Sequence, residues 1–225
     1  MTTKEFSDAF DIYLSNYGTG LSFDEYEKSL FLTQAQEQIV TELYSGRNFT
    51  GSGFEVTEEL RSSLRSLVKT TNPEKVTVGP NNAISPNSTF YSLPEDVLFI
   101  TFETATIDDD NAGCKNGSNI AVVPVSQDEF HRIKNNPFRG FNKRRALRLD
   151  VGDSKIEVVS KYSLSNYKIR YLAKPSPIIL SNFNNEVTID NKSTISECML
   201  DSSVHKYILD RAVALAIASK GTQSK

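Results

Sequence analysis

The fold is decided by residues 91–107, which read YSLPEDVLFITFETATI. The turn at Leu93–Asp96 leads into Val97–Ile107, whose β-branched and aromatic residues predict a long strand. The expected turn of a β-hairpin is Gly152–Ser154. Alternating apolar residues predict further strands at 119–125, 147–151, 156–158 and 167–171, and a final short strand at 187–189.

Helical patterns precede this strand-rich region. Apolar residues recur at helical spacing over Phe6–Tyr17 and predict a first helix. A capping-box pattern at Ser22–Glu25 predicts the start of a second helix. Its expected apolar side carries Tyr26, Leu30, Ile39 and Leu43. Thr57 is the expected cap of a third helix, whose apolar stripe runs over Leu60–Val68, and a loop is predicted over 79–88.

Two more helices are predicted after the long strand. A second capping box at Ser126–Glu129 begins a short helix that ends before Pro137. The last helix begins at Asp201 or Ser202 and ends at Gly221, since glycine is a frequent helix terminator.

The predicted fold class is therefore α+β. We expect the N-terminal helices and the C-terminal helix to pack as a bundle, with a central antiparallel β-sandwich or barrel that contains one short inserted helix. The predicted boundaries are 1–72 for the N-terminal helical segment and 73–199 for the β-rich domain, with its inserted helix at 126–136. The C-terminal helix at 200–225 is expected to return to the helical bundle.

Composition excludes several classes of protein. The chain has 225 residues, 38% of them hydrophobic and 24% charged, with a net charge of -3, which is typical of a globular protein with a real core. We find no apolar stretch near the about 20 residues that cross a bilayer and no signal peptide, so we expect no membrane partner. Cys114 and Cys198 are too few for a disulfide framework, and we expect free thiols in a reducing compartment.

The usual signatures of catalysis and metal binding are missing or incomplete. His131 and His205 are the only histidines, and neither lies beside a nucleophile motif. Asp108–Gly113 resembles the start of a calcium loop, but the twelfth position is Asn119 rather than Glu. Gly51–Gly53 lacks the lysine of a phosphate-binding loop. We therefore expect no catalytic residues, no metal and no cofactor.

Charge is unevenly distributed along the chain. Residues 1–60 contain eleven acids and three bases, a net charge of -8, so the remainder carries +5. Residues 130–149 contain seven bases and no acid. Such a chain is suited to head-to-tail contact with its own copies or to a partner of opposite charge. Ordinary solvated surface is the competing interpretation.

Within this basic stretch, aromatic and cationic residues alternate. The candidate interface or channel-facing residues are Phe138, Arg139, Phe141, Lys143, Arg144 and Arg145. Phe and Arg are typical anchors of protein interfaces. A second interpretation is a surface loop whose two Phe residues tuck into the core. A third is contact with nucleic acid, against which the acidic pI near 5.5 counts.

Taken together, these features resemble the neck ring proteins, or head-to-tail adaptors, of crAss-like tailed bacteriophages. The similarity covers nearly the whole chain. It begins with the acidic N-terminal helix pair and continues through the segments 91–97, 136–140, 167–171, 174–177 and 200–209. The layout is also similar to that of the gatekeeper-type adaptors of short-tailed phages, in which helices precede a Leu-Pro turn into a β domain and a helix returns.

The resemblance implies a structural virion protein and not an enzyme. Members of that family form rings, commonly twelve-fold, between portal and tail, where they extend the DNA channel and give tail components a docking surface. The implied partners are other copies of the chain, the portal protein, other neck or tail proteins and, transiently, packaged DNA. The implied location is the neck of the virion, after synthesis in the bacterial host cytoplasm.

Two other classes remain open. One is a different phage structural component, such as a head-completion, tail-tube or capsid-auxiliary protein. The other is a small metal-dependent enzyme that uses scattered carboxylates, against which the two histidines and the lack of a motif count.

Overall fold

A computed structural model describes residues 1–17, 20–45, 62–77, 83–184 and 187–221 of the chain, with side chains up to Ser219. The fold is α+β, as predicted. The chain divides into two compact units. The helical unit comprises Met1–Leu67 and Lys174–Lys225, and the sheet unit comprises Val68–Ala173.

The helices are α1 (Thr3–Asn16), α2 (Glu25–Tyr44), α3 (Gln127–Ile133) and α4 (His205–Gly221). The strands are β1 (Val68–Thr71), β2 (Glu74–Val76), β3 (Ser88–Ser92), β4 (Val97–Ile107), β5 (Asn119–Pro124), β6 (Arg145–Gly152), β7 (Lys155–Val159) and β8 (Leu164–Ala173). The long strand, the hairpin and the C-terminal helix are therefore confirmed. The short strand predicted at 187–189 is wrong, because Ile189 makes only an isolated bridge to Lys192.

Reciprocal caps fix the starts of α1 and α2. Thr2 and Glu5 form a capping box at α1. At α2 the cap is Asp24, whose carboxylate accepts a hydrogen bond from the Glu27 amide at 2.7 Å, so the capping box predicted to start at Ser22 is wrong by two residues. Ser126 precedes α3 as predicted, but its side chain makes no capping bond to the α3 backbone.

A polar stripe on α2 explains why its buried side was predicted only in part: Ile39 and Leu43 are buried as expected. Leu30, expected on the apolar side, is 43% exposed. The buried side instead includes Ser29, Thr33 and Gln36, spaced to lie along one face of the helix. These side chains hydrogen-bond the extended segment 176–180: Ser29 accepts from the Leu180 amide, Thr33 accepts from the Ile178 amide, and Gln36 donates to the Ser176 carbonyl. The polar groups of these three buried side chains are therefore hydrogen-bonded. A pattern of apolar residues alone cannot reveal a buried face of this kind.

The third predicted helix ends earlier than its stripe implied. Residues 62–67 are helical, the last three as a 3-10 helix, and Leu64 and Leu67 are buried. Val68, assigned to the stripe, instead begins β1. Thr57 and Leu60 lie outside the described residues.

The sheet has eight strands in the order β1-β8-β4-β5-β6-β7-β3-β2. All neighbours are antiparallel except β5 and β6, which are parallel. The predicted purely antiparallel arrangement is therefore corrected to a mixed sheet. The reason is the connection through α3, which is long enough to return the chain to the same end of the sheet.

The two outer strands of this sheet are consecutive in the chain. β1 ends at Thr71 and β2 begins at Glu74, with only Asn72 and Pro73 between them. Three peptide steps span at most about 11 Å, so the opposite edges of the sheet meet at this corner. The sheet is therefore strongly curled, and one face is turned inward.

Hydrogen bonds to β1, to β8 and to the turn between β6 and β7 hold the turn that precedes β4. The Leu93 amide donates to the Ser154 carbonyl at 2.7 Å. Asp96 accepts from Lys69 at 2.6 Å and from the Tyr171 hydroxyl at 3.0 Å. Partial burial raises the pKa of Asp96, but these hydrogen bonds outweigh it and hold that pKa below its usual value.

The inward face forms the main core of the sheet unit and encloses one polar cluster. Glu103 on β4 is only 7% exposed and accepts from the Tyr167 hydroxyl at 2.6 Å. Arg148 on β6 lies 3.5 Å from the Glu103 carboxylate and 3.6 Å from Asp150. Burial raises the pKa of Glu103, against the opposing effects of Tyr167 and Arg148.

The outward face is covered over only part of its width. Under α3, Phe130 and Ile133 pack against Leu147, Leu149 and Val159 of β6 and β7. The outward positions of β1, β8, β4 and β5 include exposed side chains, among them Phe102, which is 54% exposed.

We expect replacement of Glu103 by Ala to lower the free energy of unfolding by about 3–5 kcal/mol, because it leaves Arg148 without its inward partner. Glu103→Gln should cost less, since its amide oxygen still accepts from Tyr167. Urea denaturation measures both, and Glu95→Ala, at an exposed position, should change the value by less than about 0.5 kcal/mol. Equal stability of the Ala variant and the wild type would contradict this account of the cluster.

His205 is buried in the helical unit. Its Nε2 lies 3.1 Å from the Leu200 carbonyl, its Nδ1 lies 2.7 Å from the Met1 amine, and its ring packs on Phe6 at 5.2 Å. Burial lowers the pKa of His205 below 6.5, the Leu200 carbonyl opposes this effect, and the nearby ammonium adds to it.

Because its pKa is depressed, His205 takes up a proton more readily in the unfolded chain. Its contribution to stability is therefore present above pH 6.5 and is lost as the pH falls below that value. We expect His205→Gln to flatten the loss of stability between about pH 7.5 and about pH 5.5. His131→Gln, at an exposed histidine, should keep the wild-type slope in thermal unfolding. Identical slopes for all three proteins would show that His205 is not responsible.

Candidate functional site

The candidate site is the basic loop, residues 136–145, which connects α3 to β6 in the sheet unit. Asn136 organises its first half. The Asn136 side-chain oxygen accepts from the Phe138 amide at 2.8 Å and the Arg139 amide at 3.1 Å, and its carbonyl accepts from the Gly140 amide at 2.7 Å. Asparagine favours such turns because its short side chain mimics a backbone acceptor.

The second half of the loop is fixed in the same way by Asn142. Its side-chain oxygen accepts from the Arg144 amide at 2.8 Å, and its own amide donates to the Arg145 carbonyl at 2.9 Å. The Arg144 carbonyl accepts from Ala121 of β5 at 3.3 Å. The basic loop is therefore anchored to the neighbouring strand and has a defined conformation.

Gly140 is required at the centre of the loop by lack of space. A Cβ atom there would lie 2.6 Å from the carbonyl oxygens of Ile133 and Lys134 and 2.7 Å from that of Asn136. No side chain fits without a backbone shift, because real Cβ atoms do not approach oxygen so closely.

The two phenylalanines of the basic loop differ in burial. Phe141 packs against the small core under α3, as the core-loop interpretation expected. Phe138 is 84% exposed and stands at the tip of the Asn136 turn. Burying such a side chain in an interface removes about 1.5–3 kcal/mol of unfavourable apolar hydration. Phe138 is therefore the apolar feature of this loop that is available to a partner.

The cations of the basic stretch also separate into exposed and structural groups. Lys143 and Arg144 are exposed, and Arg139 is exposed while lying 3.9 Å from Glu129. Arg145 is half-buried and donates to the Phe138 carbonyl at 2.6 Å, so it supports the tip. Farther along β6, Arg148 is turned into the curled sheet. The structure thus brings Phe138, Arg139, Lys143 and Arg144 to one exposed loop.

The residues considered for catalysis and metal binding have structural roles or lie on the surface. His131 is exposed on α3. Asp109 caps a 3-10 helix and accepts from the Asn111 and Ser163 amides, which lowers the pKa of its carboxyl. Within the described ranges, no three His, Cys, Asp or Glu side chains are grouped to hold a metal ion.

One open cleft of about 790 Å³ lies in the helical unit beside His205. Its lining includes Glu197, Asp201 and Cys198. Burial raises the pKa of the Cys198 thiol to about 11, which makes that thiol a poor nucleophile at neutral pH. None of the helices in the described part of the chain is both long and apolar enough to span a membrane.

Sequence reasoning missed the exposed residues of the sheet. Phe102 on β4 and the cations Lys168 and Arg170 on β8 share the outward face, since Phe102 is paired with Arg170. Alternation in residues 167–171 was a signal that Lys168 and Arg170 point away from the core. The run of apolar residues in β4 gave no such signal for Phe102.

Fold and site together define a protein whose distinctive features are surfaces suited to protein contact. Comparison with known proteins gives the family. A model of the family described as phage tail ring protein 3/4 matches residues 1–225, so the chain belongs to that family. The chain is 46% identical to "Ring protein 3" of Bacteroides phage crAss001 over 223 residues, which cover 98% of this chain and 96% of that protein.

A second similar protein is "Ring protein 4/5" of the same phage, 33% identical over 232 residues, which cover 97% of this chain and 93% of that protein. The resemblance to the ring proteins of crAss-like phages, inferred from sequence, is therefore confirmed. The family description names a structural ring component and no reaction.

We expect Gly140→Ala to lower the free energy of unfolding by about 1–3 kcal/mol, because the loop backbone must move away from the new methyl group. Lys143→Ala, at an exposed position of the same loop, should change it by less than about 0.5 kcal/mol. Urea denaturation measures both values. A Gly140→Ala variant as stable as the wild type would show that the loop is less constrained than its geometry requires.

Proposed function

We propose that the chain is a structural virion protein that forms an oligomeric ring in the phage neck, between portal and tail. There it extends the DNA channel and provides a docking surface for tail components. The observation that supports this most directly is the basic loop, a rigid cationic turn with an exposed Phe138 at its tip, in a chain that belongs to a ring protein family.

Self-association into a ring needs two different surfaces on each copy, because only a heterologous contact closes into a ring. The charges of the two units favour such a contact. The helical unit has sixteen acids and eleven bases, a net charge of -5, and the sheet unit has fourteen bases and twelve acids, a net charge of +2. Opposite charges also guide copies into register during assembly.

The partners above and below the ring are the portal protein and other neck or tail proteins. We assign those contacts to four exposed residues of the basic loop: Phe138, Arg139, Lys143 and Arg144. Packaged DNA makes only transient contact, since a chain with a net charge of -3 binds phosphates weakly and lets DNA pass. The protein acts in the virion after synthesis in the bacterial host cytoplasm.

Native mass spectrometry tests this proposal on the full chain, alone and co-expressed with the portal protein of the same phage. A multi-copy complex with the portal, twelve copies being the expectation from ring symmetry in related adaptors, would support the neck assignment. A ring that ignores the portal would favour another phage structural component, such as a tail-tube or head-completion protein. A chain that stays monomeric in both preparations would contradict the proposal.

The same measurement assigns a role to the basic loop. We expect Phe138→Ala combined with Arg144→Glu to reduce the portal-bound complex by about tenfold or more, because an exposed aromatic anchor and its adjacent charge are both lost. The melting temperature should stay near that of the wild type, since both side chains are exposed. Lys161→Glu, another exposed cation of the sheet unit, is the matched control. Normal assembly of the double variant would remove the loop from the contact.

A further inference from the structure

The uncovered part of the outward sheet face carries a second surface, distinct from the basic loop. We name this surface, formed by the outward side chains of β1, β8, β4 and β5, the open face. Pairing places Thr70 and Phe102 beside Arg170, and Thr104 beside Lys168. Val123 of β5 lies on the same side, two residues after Ala121, which is paired with Thr104.

Charge on the open face is of one sign. The four strands contain a single acid, Glu103, and it is turned inward against Tyr167. Lys168 and Arg170 are exposed, as is Phe102 between β8 and β5. An exposed aromatic side chain flanked by two cations is complemented by a partner surface that presents an apolar side chain next to a carboxylate.

Such a surface exists on α1 of the helical unit. Its inner side is the buried stripe Phe6, Phe10 and Leu14. On the opposite side, Asp8 and Ile12 lie one turn apart, and Ile12 is 62% exposed. An exposed isoleucine beside an exposed aspartate, in a unit of net charge -5, has the chemistry that the open face requires.

We propose that the open face of one copy binds the Asp8–Ile12 surface of α1 in the next copy, and that this contact joins neighbouring subunits. The inference rests on the proposed function, because it assigns the surfaces by which the ring closes. Each copy carries each surface once, so the contact is heterologous and repeats around a ring.

A charge exchange tests the pairing. Arg170→Glu alone and Asp8→Arg alone should each reduce the assembled fraction in native mass spectrometry by about tenfold, because each sets like charges against each other. The two changes combined in one chain should restore assembly, since the pair is then reversed rather than broken. Lys161→Glu is the matched control. A combined variant that does not assemble, although its circular dichroism spectrum is native, would overturn the inference.

Disulfide trapping separates this inference from the proposed function. In a chain carrying Cys114→Ser and Cys198→Ser, the further changes Thr104→Cys and Ile12→Cys place one thiol on each surface. Mild oxidation of the assembled protein should give a ladder of covalent oligomers, and each single-cysteine variant should give none. Rings without a ladder would overturn the inference and leave the proposed function intact. Covalent dimers from Thr104→Cys alone would overturn it in favour of a symmetric contact, and absence of rings in the cysteine-free parent would overturn both.

Discussion

The sheet unit depends on one constraint of chain connectivity. β1 and β2 occupy opposite ends of the hydrogen-bonded order, yet only Asn72 and Pro73 join them. The sheet must therefore curl until its edges meet. Curling encloses the inward side chains, including the Glu103 cluster, and turns the other set outward. The outward side chains then need cover: α3 covers those of β6 and β7, and among the described residues of the sheet unit none buries Phe102, which is 54% exposed.

Sequence was most informative where one local pattern sufficed. The long strand Val97–Ile107, the hairpin at Gly152–Ser154 and the last helix, which is described up to Gly221, follow from residue types over a few positions. Short edge strands such as β1 escaped detection, because VKTT has no apolar alternation and is extended only through pairing with β8. The parallel pairing of β5 and β6 was equally hidden, since strand order is set by contacts between distant residues.

The candidate site was predicted as a continuous range of residues, but the prediction did not say which of their side chains are exposed. Composition singled out the basic loop, residues 136–145, and the Asn-Pro-Phe-Arg-Gly turn at its start does hold an exposed Phe138. Composition did not show that Phe138 is exposed while Phe141 is packed against the core. That difference depends on the path of the chain between α3 and β6. Nor did composition separate Arg148 from the exposed cations, since that requires knowing which side of β6 is turned inward.

The sheet unit begins and ends at neighbouring positions. Val68 is paired with Leu172, so the chain enters the unit beside the point at which it leaves. Adjoining termini are the geometry that tolerates insertion of one domain into another. In the sequence, the sheet unit is thus an insertion between the two segments of the helical unit, and an insertion with adjoining ends can be exchanged without breaking the fold of its host.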